Sequence, residues 1–191
     1  MTDFTMKTDA DGVATITWDT VGKSMNVMNQ QGFVDLDGLV DQALADDAIK
    51  GVIITSGKEG SFAGGMDLNI IAKMKDSAGD EPARGLMEGL MASHAILRKI
   101  ERAGMGIGFE IPLACHRIFV ADNPKAKIGL PEIMVGIFPG MGGTTRLVRK
   151  LGAMNASPFL LEGKLSDPAK AKQAGLVDEV VPADELLSVA K

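Results

Sequence analysis

The run KGVIITSG, residues 50–57, most constrains how this chain can fold. Val52, Ile53, Ile54 and Thr55 are consecutive β-branched residues, and Ser-Gly closes the run, so it reads as a buried strand. Before it, GVATITWD (residues 12–19) alternates apolar and polar side chains, the pattern of a strand with one covered face. Between the two, residues 31–47 place Phe33, Val34, Leu36, Leu39, Val40, Ala43 and Leu44 on one broad helical face. Strand, helix, strand and helix in that order define an α/β domain.

Later segments keep the alternation. Asp67 caps an expected helix in DLNIIAKMK, and SAGDEPARG (residues 77–85) reads as a polar surface excursion. Residues 86–102 form an amphipathic helix. HRIFVADNPKAKIGLPE gives a strand, a turn at Asn123-Pro124 and a second extended piece. GGTTRLVRKLG is a helix closed by Gly152; DPAKAKQAGLVDEVVP is a helix stopped by Gly175 and then a short strand.

At 191 residues the chain reads as one domain, long enough to bury a core. A net charge of −5 and only 4% aromatic residues argue against a nucleic-acid surface. The lone Cys115 excludes an internal disulfide and fits a reducing compartment. Its PLACHR setting reads as a structural thiol in a buried helix. No apolar run reaches membrane-span length and the N-terminus lacks a signal-peptide core, so the chain reads as cytoplasmic. Twelve methionines make the packing surfaces deformable, which suits core filling and would also suit a flexible apolar ligand.

Two glycine-rich loops each open a helix: SFAGGMDL (residues 61–68) and PGMGGTTR (residues 139–146). Each is either a tight turn or a place where backbone N–H groups meet a ligand oxygen. The second lacks the lysine and spacing of a P-loop. Two carboxylates carry more information. Glu110 lies between GIGF and IPLAC, and Glu132 lies in IGLPEIMVGIFPG, both in apolar surroundings that raise a carboxyl pKa. Singly, each could be a cap or a salt-bridge partner. Together with the glycine loops they suggest an acid/base pair working near neutral pH.

These features in this order resemble the crotonase, or enoyl-CoA hydratase/isomerase, superfamily. The likeness covers nearly the whole chain and is greatest in SFAGGMDL, GIGFEIPLACHR, ADNPKAKIGLPEIMVGIFPGMGGTTRL and GLVDEVVP. The NPKAKIGLPE…GGTTRLVRKLGA block looks most like the N-terminal module of bacterial multifunctional fatty-acid oxidation proteins, in which a 3-hydroxyacyl-CoA dehydrogenase region follows. The resemblance implies a spiral of ββα units with helices packed around the sheet core. It implies an acyl-CoA thioester substrate whose enolate is held by two backbone N–H groups, on Gly64 and Ile107. Glu110 is then the residue that activates water, Glu132 exchanges the α-carbon proton, and the Gly140 N–H lies beside the water. Ala63, Met66, Asp67 and Leu68 match the loop along CoA, and Met25 and Val27 the acyl or CoA wall. His94 and His116 match no catalytic position.

The activity so implied is hydration of trans-2-enoyl-CoA in β-oxidation. The alternatives are a Δ3-Δ2-enoyl-CoA isomerase, which generally needs one carboxylate, and a non-catalytic acyl-CoA binding module. Hydration needs no metal and no cofactor; NAD would enter only with a dehydrogenase region outside this chain. Implied partners are further copies of the chain or a thiolase. The resemblance also implies a buried strand between LRKIERAG and GIGFE, where here Gly104 runs straight into Met105, and C-terminal helices beyond ADELLSVAK. The module over residues 1–191 therefore reads as incomplete at those two places.

Overall fold

A computed structural model describes residues 2–59, 62–67, 82–103 and 109–191. The chain divides into two compact units, Met1–Ala103 and Gly104–Lys191. The division falls at the junction where the sequence analysis expects a further strand.

The first unit is built on a three-stranded sheet, β1 (Phe4–Thr8), β2 (Val13–Trp18) and β3 (Gly51–Ser56), in that spatial order. β1 and β2 pair antiparallel around a turn at Gly12, whose φ of +85° suits glycine; β2 and β3 pair parallel. The alternation read in β2 holds: Ala14, Ile16 and Trp18 are buried and the residues between them half-buried. Trp18 stacks on Phe4 at 5.2 Å and meets the edge of Phe62 at 6.2 Å. β3 departs from expectation, because all six of its residues are half-buried rather than buried. It is the edge of the sheet, and among the described residues no strand pairs with its other side.

Helix α1 (Gln30–Ala45) starts where Asn29 accepts the Gly32 N–H at 2.7 Å. It buries Leu36, Val40 and Ala43. α2 (Pro82–Ala103) packs on α1 and buries Ile96, Leu97 and Ile100. Lys99 of α2 bridges Asp37 and Asp41 of α1 at 2.7 and 2.9 Å. The helix expected after Asp67 and most of the excursion at residues 77–85 lie outside the described residues.

The second unit opens with a 3₁₀ turn, Pro112–Ala114, not the helix expected around Cys115. Cys115 ends that turn, donating its N–H to Pro112 at 2.9 Å, and burial pushes its thiol up to about 12. At neutral pH it is an inert thiol. β4 (Phe119–Ala121) pairs parallel with β5 (Glu179–Val181), and a second 3₁₀ turn spans Pro131–Val135. Helices α3 (Gly143–Leu151), α4 (Ala153–Leu161), α5 (Pro168–Gln173) and α6 (Leu186–Ala190) complete the unit. Gly152 and Gly175 adopt φ of +79° and +76°, so both helix stops stand as read. The core gathers Leu113, Ile118, Leu130, Leu147, Phe159 and Leu176.

Candidate active site

In the first unit the chain after β3 returns as a short parallel rung beside residues 26–28. Gly64 donates its N–H to Asn26 at 2.8 Å, Met28 to Gly65 at 2.8 Å, and Asp67 to Met28 at 2.9 Å. Met66 is the bridge partner of Met28. This pairing corrects one expectation. The Gly64 N–H, expected to meet a substrate oxygen, is spent on the Asn26 carbonyl. In a parallel bridge the flanking residues bond across, so the central residue turns its own N–H away from the partner strand. Met66 is that residue, and its N–H has no acceptor among the described residues. A Cβ on Gly64 would displace the Met25 sulfur, which lies on a flexible and exposed side chain.

Asn26 is the residue the sequence reading passed over between Met25 and Val27. It is fully buried. Its Nδ2 donates to the Trp18 carbonyl (2.9 Å), the Ser56 hydroxyl (3.0 Å) and the Phe62 carbonyl (2.9 Å), while Oδ1 accepts the Thr20 N–H at 2.8 Å. One side chain thus ties together the ends of β2 and β3 and the start of the glycine loop. The clue in the sequence is a lone amide inside MNVM. Met25 is exposed, and Val27, Ala63, Met66 and Asp67 are half-buried; Leu68 and Ile107 lie outside the described residues.

The second unit brings both expected carboxylates into electrostatic contact. Glu110 Oε1 accepts the N–H of Met141 at 3.0 Å and of Gly143 at 2.8 Å. Among the described residues no hydrogen bond reaches Oε2. A Cβ on Gly143 would come within 2.7 Å of Oε1, so the carboxylate can lie on this loop only because the residue is glycine. Gly142, at φ +93°, turns the chain into α3. Gly140 is half-buried in the same loop. Glu132 sits in the first turn of the second 3₁₀ segment, and its Oε2 is buried with no hydrogen-bond partner among the described residues.

Burial pushes Glu110 up to about 7, and the charge of Glu132 pushes the same way. The Gly143 and Met141 N–H groups and the Arg146 guanidinium pull it down. Glu132 is also raised, by burial, with its own backbone N–H opposing. A carboxyl group near 7 can give or take a proton at neutral pH. An orphaned buried carboxylate oxygen requires a polar partner, which a water or substrate atom can supply. Of the two histidines, His116 is exposed and His94 half-buried on α2. Among the described residues no group of three or more His, Cys, Asp or Glu side chains is placed to hold a metal.

The fold and the carboxylate pair define a class, and sequence comparison agrees. The chain belongs to the enoyl-CoA hydratase/isomerase family, which it matches over residues 8–191, through both units. It is 37% identical over 192 residues to the fatty acid oxidation complex subunit alpha of Idiomarina loihiensis, covering 98% of this chain and 27% of that one. The same subunit of Shewanella frigidimarina is 36% identical, covering 94% of this chain and 26% of that one. The chain therefore spans about a quarter of the length of these relatives. Among solved structures, the enoyl-CoA hydratase of Geobacillus kaustophilus superposes with a TM-score of 0.86 at 28% identity, covering 100% of this chain and 72% of that one. Human mitochondrial delta3-delta2-enoyl-CoA isomerase superposes with a TM-score of 0.83 at 27% identity, covering 98% and 74%. The α/β crotonase fold expected from the sequence is thus the fold of the chain. No helix among the described residues is long and apolar enough to cross a membrane.

Proposed function

We propose that this chain hydrates trans-2-enoyl-CoA thioesters. The observation that carries the reading is the pair of carboxyl groups Glu110 and Glu132, both displaced upward by burial, with Glu132 Oε2 left without a hydrogen-bond partner among the described residues. Water lies between the carboxyl groups. Glu110 takes a proton from it through Oε2 as the water oxygen bonds to the β-carbon. The C=C electron pair moves onto the thioester oxygen as an enolate, which then collapses as the α-carbon takes a proton from Glu132. Water is thereby added across the double bond with no electrons gained or lost.

The enolate oxygen needs oriented donors, each worth about 3–4 kcal/mol to the transition state. In this reading Met66 offers one N–H in place of Gly64; Ile107, the expected second donor, lies outside the described residues. An isomerase needs only one of the two carboxylates, and the likeness to the human isomerase supports that activity as the second reading. The two relatives are named as subunits of a complex, which supports assembly with a partner such as a thiolase. NAD belongs to this reading only through a dehydrogenase region outside these residues.

The test is Glu132→Gln. Hydration should fall by roughly 10²–10⁴-fold, the usual contribution of a positioned acid or base, while acyl-CoA binding by calorimetry is retained. Undiminished hydration in that variant would overturn the mechanism.

A further inference from the structure

Arg146 lies in the first turn of α3 and is 8% exposed, the one buried side chain among the described residues that bears a permanent charge. A buried guanidinium carries a desolvation cost, so what it touches is informative. Its Nη1 donates to the Met141 carbonyl at 2.8 Å, and its own N–H donates to Gly142 at 3.0 Å. The N–H of that same Met141 donates to Glu110 Oε1, beside the N–H of Gly143. One residue therefore holds the Met141 and Gly142 carbonyls of the turn whose Met141 and Gly143 amides hold the carboxylate.

We propose that Arg146 is a positioning residue for the acid/base pair. It anchors the Met141 carbonyl so that two amides converge on Glu110, and it sets a fixed positive charge within electrostatic reach of that carboxylate. The proposal rests on the hydratase reading, in which Glu110 must be ionised to take a proton from water. The charged groups acting on Glu110 have opposite effects. Glu132, from the 3₁₀ turn, favours its neutral form, and Arg146, from α3, favours its ionised form. The other cations of α3 are engaged elsewhere: Arg149 is exposed and Lys150 pairs with Asp178 at 3.1 Å. The first 3₁₀ turn, Pro112–Ala114, carries no charge. Arg146 is thus the cation that favours the ionised form, adding to the larger pull of the Gly143 and Met141 amides.

The experiment is the pH dependence of kcat/KM for hydration of a short trans-2-enoyl-CoA by the full chain. Three variants are compared with the unaltered protein: Arg146→Gln, Arg146→Lys and Glu110→Gln. Arg146→Gln keeps a donor for the Met141 carbonyl but no charge. Its acidic limb should move up by about one pH unit, with roughly tenfold loss below the limb and recovery in alkali. Arg146→Lys keeps the charge and should leave the limb in place while lowering kcat. Should Arg146→Gln fail to fold, Arg146→Met should show the same displaced limb together with a lower kcat, because it lacks the donor as well as the charge. Uniform loss at every pH with the limb unmoved in the uncharged variant would overturn the inference, since a merely structural residue acts that way. A limb displaced equally by Arg146→Lys would also overturn it. Glu110→Gln separates the two failures. Full activity there sinks the hydratase reading itself, whereas an inactive Glu110→Gln beside an unmoved limb sinks only the role of Arg146.

Discussion

The glycine loop of the first unit and the carboxylate cluster of the second hold their polar groups by opposite means. Around residues 62–67 the groups are backbone amides, oriented by a parallel rung and by the buried Asn26. They cannot titrate near neutral pH, and nearly any side chain could supply the same N–H. Around Glu110 and Glu132 the groups are side chains whose charge state is set by burial and, for Glu110, also by Glu132, two loop amides and Arg146. The first arrangement is sensitive to backbone geometry and indifferent to pH; the second depends on pH as well as on the loop amides that hold Glu110.

The largest effect that would break this comparison comes from the loop. Met66→Pro removes one N–H and should lower turnover by roughly 10²–10³-fold, whereas Met66→Ala keeps the amide and should stay within a few-fold. Steady-state kinetics on the two variants checks this, and a large loss in Met66→Ala would show that the side chain carries the role.

Stability separates the regions next. Asn26→Ala leaves the Thr20 N–H and the Phe62 carbonyl without this partner, while the Trp18 carbonyl keeps the Gly57 N–H, so unfolding in denaturant should show a loss of about 3 kcal/mol. Asn26→Asp should restore little, because a carboxylate cannot donate to those two carbonyls.

The pH response belongs to the second unit. Glu110 stands at about 7 against an ordinary 4.5. Between those values the native state holds a proton that the unfolded chain has released. Its contribution to stability is present below the unfolded value and is lost as pH rises through the native one. Glu110→Gln should therefore raise Tm relative to the unaltered protein more at about pH 8 than at about pH 5. Equal differences at both would mean that Glu110 is not shifted. The smallest effect is the control: His116→Ala, at an exposed position outside both regions, should change stability by less than about 0.5 kcal/mol and leave kcat/KM intact.

Much of the fold is legible in the chain because it depends on local periodicity. β2, α1, the helix before Ala103 and the glycine stops at Gly152 and Gly175 all follow from patterns within one element. β1 is too short to declare itself in FTMKT, and α4 hides because Pro158 reads as a break in a segment with little polar face. β3 misleads for a different reason. Its composition is that of a buried strand, but its burial depends on what pairs beside it.

For the site, the sequence by itself determined which groups are present: two carboxylates in apolar settings and two glycine loops. Only the tertiary structure decided their working state. Whether the Gly64 or the Met66 amide is free depends on the register against Asn26 and Met28, nearly forty residues earlier. The glycine at Gly143 and the guanidinium of Arg146 gain their meaning only when Glu110, more than thirty residues before them, is folded onto their loop. Hydrogen-bond direction and desolvation are properties of neighbours in space. A local pattern sets residue type and periodicity, but it cannot say which donor a distant strand has already used.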